Sequence, residues 1–569
     1  MIRAIHLPGI VLVFALAGLA IPRQSQTSPA TGQPAPPIIT ATTRLVQVSV
    51  IAKENGAPAA GLQATDFKVL VDGHPQKISF FSAESTGVSA TPPAPLPPNT
   101  FTNVLTARGQ TVTGTTIVLL DLVNTRLVDR MFARQQVIKY LAEIPPTDRI
   151  GVYVFGGHLR VLHDYTEDMS AFQKKLADAQ DRLVSISKLE TPDALDREQA
   201  QFDAAFMGRG GSLEEREFFT RNRVMGTLAV FKFIASHLER VPGRKNLIWV
   251  SGAFPMIFGY ENAQEMAENY TDEVDATVRA LSQANISVYP IDARGLTTPH
   301  AFDASARNPS RPPSAAPPPT AGRPLSNPAP RPNGGAGRRE IAAHATMDEI
   351  AQRTGGHAYY NTNDLARAIH EAVADSALTY TIGFYPADTN GDREFHKIKI
   401  ETSRHHVALH YRSGYLDAPP APQTDTQRLL QLHDAAFSPL DATELGLTVH
   451  VAPSASSGAP AGGGRTVDLT TTIQPDRVIL KQDGDRYSGR IDMAVIQLDQ
   501  RGRMIEGSAD THDTIDLKLL ADTYRKFTAE GLPVHKTVTL APKAATLRIV
   551  ARDAGSGLIG SISVPLDGI

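Results

Sequence analysis

Two hydrophobic rhythms alternate along the chain. Thr115 to Leu120 (TTIVLL) is an unbroken apolar, β-branched run, the pattern of a strand covered on both faces. It ends at Asp121 and gives way to Met131, Val137, Ile138, Leu141 and Ile144 at helical spacing. Ile150 to Phe155, the Gly156-Gly157 turn and Leu159 to His163 predict a hairpin. Helical spacing returns at about 168–184 (Phe172, Leu176, Leu183) and about 222–240 (Val224, Leu228, Phe231, Ile234, Leu238). Strands at Asn246 to Val250 and Ile286 to Ile291 flank a helix carrying Tyr270, Val274, Val278 and Leu281. A helix near Met347 to Thr354, a stop at Gly355-Gly356, a strand at His357 to Tyr360 and a helix with Leu365, Ile369 and Val373 complete the series. This βα alternation predicts a doubly wound, mostly parallel sheet with helices on both faces.

On either side the period is two. Arg44 to Ile51 and Phe67 to Phe81, the latter around Asp72-Gly73, alternate apolar and polar residues, as do TYTIGFYP, FHKIKIET and VALHYRSGY after Leu378. Neither set buries enough apolar surface alone, so the two are expected to pair into one β-sandwich from which the α/β domain projects. Strands at Thr466 to Ile473, Tyr487 to Leu498, Val534 to Leu540, Ala545 to Asp553 and Ile559 to Val564 predict a second, antiparallel sandwich. The expected organisation is a signal peptide at 1–20, a disordered leader at 21–40, sandwich strands at 41–83, a linker at 84–114, the α/β domain at 115–377, the remaining sandwich strands at 378–416, a linker at 417–430 and a C-terminal sandwich at 431–569. A Pro- and Arg-rich stretch at 297–340 interrupts the α/β rhythm and is expected to be a solvated insertion.

Composition narrows the chemistry. The 569 residues include no Cys, which removes disulfides, thiolate metal sites and cysteine nucleophiles together. A net charge of −3 argues against a nucleic-acid binder. Arg3, the apolar run Ile10 to Leu19 and the small residues Ala15, Ala17, Gly18 and Ala20 match a secretory signal peptide, and the run falls short of the ~20 residues that a spanning helix needs. The mature chain is therefore expected to be secreted or periplasmic, without stable membrane insertion.

Several segments, in order, carry a family likeness. TTIVLLDLVNT, DRIGVYVFGGHLRVLHDYTED, PGRKNLIWVSGAFP, ISVYPIDARGL and IAQRTGGHAYYNTNDL resemble von Willebrand factor type A domains. With GLQATDFKVLVDGHPQKISFFS before them and TYTIGFYP and VALHYRSGY after, the chain resembles the secreted von Willebrand factor A-related proteins of acidobacteria. The resemblance implies a Rossmann-like domain that binds other proteins, often through a divalent cation held by an Asp-x-Ser-x-Ser loop, a Thr from a second loop and an Asp after the fourth strand. Here that first loop reads Asp121-Leu122-Val123-Asn124-Thr125. Asp121 and Thr125 match; Val123 replaces a hydroxyl, and Ser251-Gly252 stands where the second carboxylate belongs. Thr220 and Thr227 both qualify as the second-loop Thr.

Two readings of Asp121 and Thr125 stand side by side. As ligands they form a degenerate site that holds Mg²⁺ or another divalent cation weakly, because charge and ligand count have both fallen. As structural groups, Asp121 caps the following turn and Thr125 is an ordinary helix-start hydroxyl. Asp292, at the end of the Ile286 to Ile291 strand, opens onto the same edge and either supplements the site or orients a loop.

Other constellations are weaker. Gly555, Gly557 and Gly560 precede a strand where a dinucleotide loop needs a helix. His405 and His406 face opposite sides of an expected surface strand that also carries His410. Ser251 lacks the glycine of a nucleophile elbow two positions earlier, where Trp249 stands. The expected function is a non-catalytic protein-interaction or adhesion module that presents the upper face of its α/β domain to a protein or cell-surface ligand. The alternative is a hydrolase whose groups, such as Asp121 and Asp292, converge from distant loops.

Overall fold

The computed structural model describes residues 45–85, 96–104, 115–145, 149–165, 169–174, 213–252, 263–296, 334–375, 377–386, 394–417, 424–454, 465–505 and 511–567. The expected signal peptide and leader, the second half of the helix expected at about 168–184, and insertion residues 297–333 lie outside these.

A five-stranded sheet organises the middle of the chain. Its strands are β1 (Thr115–Asp121), β2 (Ile150–Phe155), β3 (Leu159–His163), β4 (Lys245–Ser251) and β5 (Ile286–Asp292), in the order β5-β4-β1-β2-β3. All run parallel except β3, which turns back on β2, and a further parallel bridge joins Ile291 to Tyr359 beyond β5. Alternation sends Ile117 and Leu119 to one face and Val118 and Leu120 to the other. Helices α1 (Leu127–Glu143) and α5 (Leu365–Ala374) cover the second face through Val137, Leu141, Leu365 and Ile369. Helices α2 (Leu213–Leu238), α3 (Ala263–Gln283) and α4 (Gly334–Thr354) cover the first through Leu228, Phe231, Val274, Leu281 and Ile350. Each such apolar side chain stabilises the fold by about 1.5–3 kcal/mol on full burial, which is why β1, β4 and β5 have no exposed residue.

Two sandwiches flank this unit. In the first, Val46–Glu54 lies between Leu378–Phe384 and Val407–His410, and Phe67–Val71 pairs with Phe395–Thr402, so strands from both sides of the α/β stretch share one core around Val48, Val69, Tyr380 and Ile398. The second packs a sheet ordered Leu532–Thr539, Thr466–Ile473, Leu447–Pro453, Thr100–Thr102 against one built on Arg486–Leu498 and Thr546–Asp553. The Asp425–Phe437 helix covers the latter sheet through Leu432 and Ala436 against Ile496 and Val550.

Five local expectations change. The linker expected at 84–114 supplies a strand, Thr100–Thr102, that pairs with Thr448–His450. The linker expected at 417–430 already contains the start of the 425–437 helix, capped by Thr424 and Gln427. Helix α4 begins at Gly334, inside the expected insertion, and α2 begins at Leu213, before the expected 222. His405 and His406 sit in the turn before Val407–His410, with His406 at φ 62°, rather than facing opposite sides of a strand.

Candidate functional site at the carboxyl edge of the sheet

Strands β1, β4 and β5 end together. Ser251 is the register partner of both Asp121 and Asp292, so one hydroxyl stands between two carboxylates along the carboxyl edge. Asp121 has the same parity as Ile117 and Leu119 and therefore lies on the α2 side of the sheet, as does Trp249, the partner of Leu119.

Asp121 is fully buried and every bond to its carboxylate comes from a donor. Oδ1 accepts the Asn124 main-chain N–H at 3.0 Å. Oδ2 accepts Asn124 Nδ2 at 2.7 Å, the Trp249 indole N–H at 3.0 Å and the Ser251 hydroxyl at 3.1 Å. Asn124 Nδ2 also donates to Thr227 Oγ1 at 2.8 Å, and the Thr227 hydroxyl in turn donates a hydrogen bond to the Arg223 carbonyl at 2.9 Å. Thr125 Oγ1 donates to the Asp121 main-chain oxygen and accepts the Gly252 N–H at 3.0 Å. Space beside Gly252 is tight: a Cβ would lie 3.1 Å from Thr125 Cα and 3.2 Å from the Asn124 carbonyl. Burial pushes the Asp121 carboxyl up, and the bonds from Asn124, Trp249 and Ser251 oppose that rise.

A hard divalent cation needs six or so oxygens with lone pairs to spare. Among the described residues there is a single carboxylate around Asp121, both of its oxygens already accept, and the Thr125 hydroxyl is held by main chain on each side. The described residues by themselves do not fit such an ion. Among the described residues no group of three His, Asp or Glu is arranged to hold a metal. Of the two threonines considered, Thr227 reaches the cluster; the side chain of Thr220 lies outside the described residues.

Asp292 is engaged separately. It accepts the Arg294 main-chain N–H at 2.9 Å, the Arg294 guanidinium at 2.9 and 2.6 Å, and His344 Nε2 at 2.9 Å. Tyr360 stacks on the His344 ring, 4.4 Å between centroids and 13° from parallel. Burial alone would raise the Asp292 carboxyl, but His344 and Arg294 outweigh it and hold the group below the usual carboxylate range. Asp292 thus fixes the 293–296 loop and ties it to α4.

Sequence reasoning missed the parts played by Trp249, Asn124, Arg294 and His344. Trp249 was in reach, since its parity and register place it beside Asp121. His344 was not, being 52 positions from its partner across the insertion. Exposed apolar groups rim the same edge: Leu296 at 63%, Met131 at 57% and Tyr360 at 38%. Clefts of about 370 and 380 Å³ lie at the opposite, amino edge, both bordered by Gln47, Gln283 and Asn285. No described helix is long and apolar enough to cross a membrane.

No family model and no curated protein matches this chain. Three solved structures are similar to it in part. One is an aerotolerance-related membrane protein from Bacteroides fragilis, at 16% identity and TM-score 0.22, over 46% of this chain and 98% of that one. The second is BatB from Bacteroides thetaiotaomicron, at 14% identity and TM-score 0.21, over 47% of this chain and 98% of that one. The third is proximal thread matrix protein 1 from the mussel byssus, at 10% identity and TM-score 0.21, over 47% of this chain and 48% of that one.

Proposed function

We propose that this chain is an exported, non-catalytic protein-interaction or adhesion module, built on a von Willebrand factor A-like α/β domain that presents its carboxyl edge to a protein or cell-surface ligand. One observation carries the reading. The edge combines exposed apolar side chains, Met131, Leu296 and Tyr360, with loops held rigid by buried hydrogen bonds at Asp121 and Asp292. Apolar and aromatic groups on a rigid frame suit recognition, because little ordering cost is incurred on binding. Export rests on the signal-peptide pattern of residues 1–20.

A hydrolase reading has the Asp292–His344 pair in its favour. An acid–base dyad also needs a nucleophile or substrate proton within reach, whereas the His344 Nε2 that meets Asp292 has only the Arg294 guanidinium beside it among the described residues. Interaction is the better-supported function. A photoreactive amino acid at Leu296 or Met131, expressed in the native host, should give discrete adducts that are absent when the probe replaces Gln283 at the opposite edge. Adducts confined to the Gln283 probe would overturn the reading.

A further inference from the structure

Asn124 makes a bridge that its position in the loop does not require. Its amide nitrogen has two protons and spends one on Asp121 Oδ2 at 2.7 Å and the other on Thr227 Oγ1 at 2.8 Å. It thereby joins a carboxylate at the end of β1 to a hydroxyl on α2 that lies 103 positions from Asn124 in the sequence. A small hard cation would make the same link from the same place, with oxygen on both sides. We propose that the Asn124 carboxamide substitutes for a divalent cation at this edge, so that the 122–126 loop keeps one conformation whether or not divalent ions are present.

This proposal rests on the reading of the carboxyl edge as the interaction surface and concerns how that surface is regulated. Three further observations support it. The amide has one workable orientation: flipped, its oxygen would face the Asp121 carboxylate. In the orientation adopted, Asn124 Oδ1 is buried without a hydrogen-bond partner, an unfavourable state that only a stronger bond elsewhere maintains. Asp121 Oδ2 is also taken by Trp249 and Ser251, and the Thr125 hydroxyl by main chain. An ion linking Asp121 Oδ2 to Thr227 Oγ1 would have to displace the Asn124 amide nitrogen. The recognition surface would then be permanently set rather than gated by ion binding.

The sole Trp of the sequence gives a direct probe, because its indole N–H lies 3.0 Å from the Asp121 carboxylate. With indole-¹⁵N-labelled full-length protein, the single indole resonance should keep its width as paramagnetic Mn²⁺ is added to millimolar levels. Broadening that saturates, and that EDTA reverses, would overturn the proposal without touching the interaction reading, which stands or falls on the Leu296 adducts. A variant supplies the second arm. Asn124→Asp places a second carboxylate beside Asp121, so it should melt lower than wild type in EDTA and recover several degrees in Mn²⁺, while the wild-type midpoint is the same in both. An Asn124→Asp protein that folds yet ignores Mn²⁺, or a wild-type midpoint that rises with Mn²⁺, would each contradict the surrogate role.

Discussion

Trp249→Phe tests how the buried carboxylate is held. The indole packs edge-on against Phe231, with centroids 5.1 Å apart, so a phenyl ring keeps much of the contact while deleting the N–H that reaches Asp121. Two losses combine. A hydrogen bond to a buried charge contributes about 1.5–3 kcal/mol. The smaller ring leaves roughly 40 Å³ unfilled, which costs about 1 kcal/mol at ~24 cal/mol per Å³. The expected destabilisation is therefore roughly 2.5–4 kcal/mol.

The two parts separate by pH. The indole bond stabilises the carboxylate and not the neutral acid, so losing it lifts the folded pKa of Asp121 further above its unfolded value of about 3.9. A carboxyl whose folded pKa is raised contributes stability that is present at low pH and lost as pH rises through the folded value. The variant should fall further behind wild type once pH has risen from an acidic value, where the carboxyl is protonated in both proteins, to an alkaline value at which it is ionised in wild type, whereas the packing loss is constant. Urea unfolding of both proteins at the two pH values, followed by far-UV circular dichroism, reads the difference. A total deficit below about 1 kcal/mol, or one that does not change with pH, would refute the placement of the indole N–H on Asp121.

Other outcomes follow from groups away from the edge. Burial pushes Glu444 from 4.5 up to about 7, although it accepts the Ile559 N–H at 2.9 Å. Glu444→Gln keeps that acceptor and should remove a stability loss of about 3 kcal/mol that wild type shows as pH rises from about 4.5 to beyond 7, read by urea midpoints across that range. Burial lowers the His237 pKa, but Asp164 and the Asp441 carbonyl, which His237 Nδ1 meets at 2.7 Å, outweigh it and raise the value overall. The stability from His237 is then full below about pH 6.5 and lost as pH rises through the folded value, so the advantage of wild type over His237→Gln should shrink toward alkaline pH in calorimetry. Gly356→Ala puts a Cβ 1.9 Å from the Val288 carbonyl oxygen, where main chain packs on main chain. The strand must move, and a loss of about 3 kcal/mol or more is expected in denaturant unfolding.

Much of the fold is legible because burial on two faces leaves an unmistakable pattern. The run TTIVLL predicts a strand at Thr115 to Leu120, and β1 runs Thr115–Asp121; Ile150 to Phe155 coincides with β2. The short Thr100–Thr102 strand could not be read, since three residues in a Pro-rich stretch become a strand only by pairing with Thr448–His450. The helix start at Thr424 was readable from the Thr424-x-x-Gln427 spacing, which the surrounding linker composition obscured. At the edge, the sequence names Asp121, Thr125 and Ser251 but not their bonds. Whether Asp121 offers its oxygens to an ion or to Trp249 and Asn124 depends on cross-strand register and on a contact from α2, neither of which is local.

The decisive comparison is the yield of the Leu296 photo-adduct in EDTA and in Mg²⁺. Interaction through an edge held by Asn124 predicts one adduct with the same yield in both. An adduct that disappears in EDTA would mean that an ion organises the surface, and the absence of any adduct under either condition would mean that this edge is not where the protein makes its contacts.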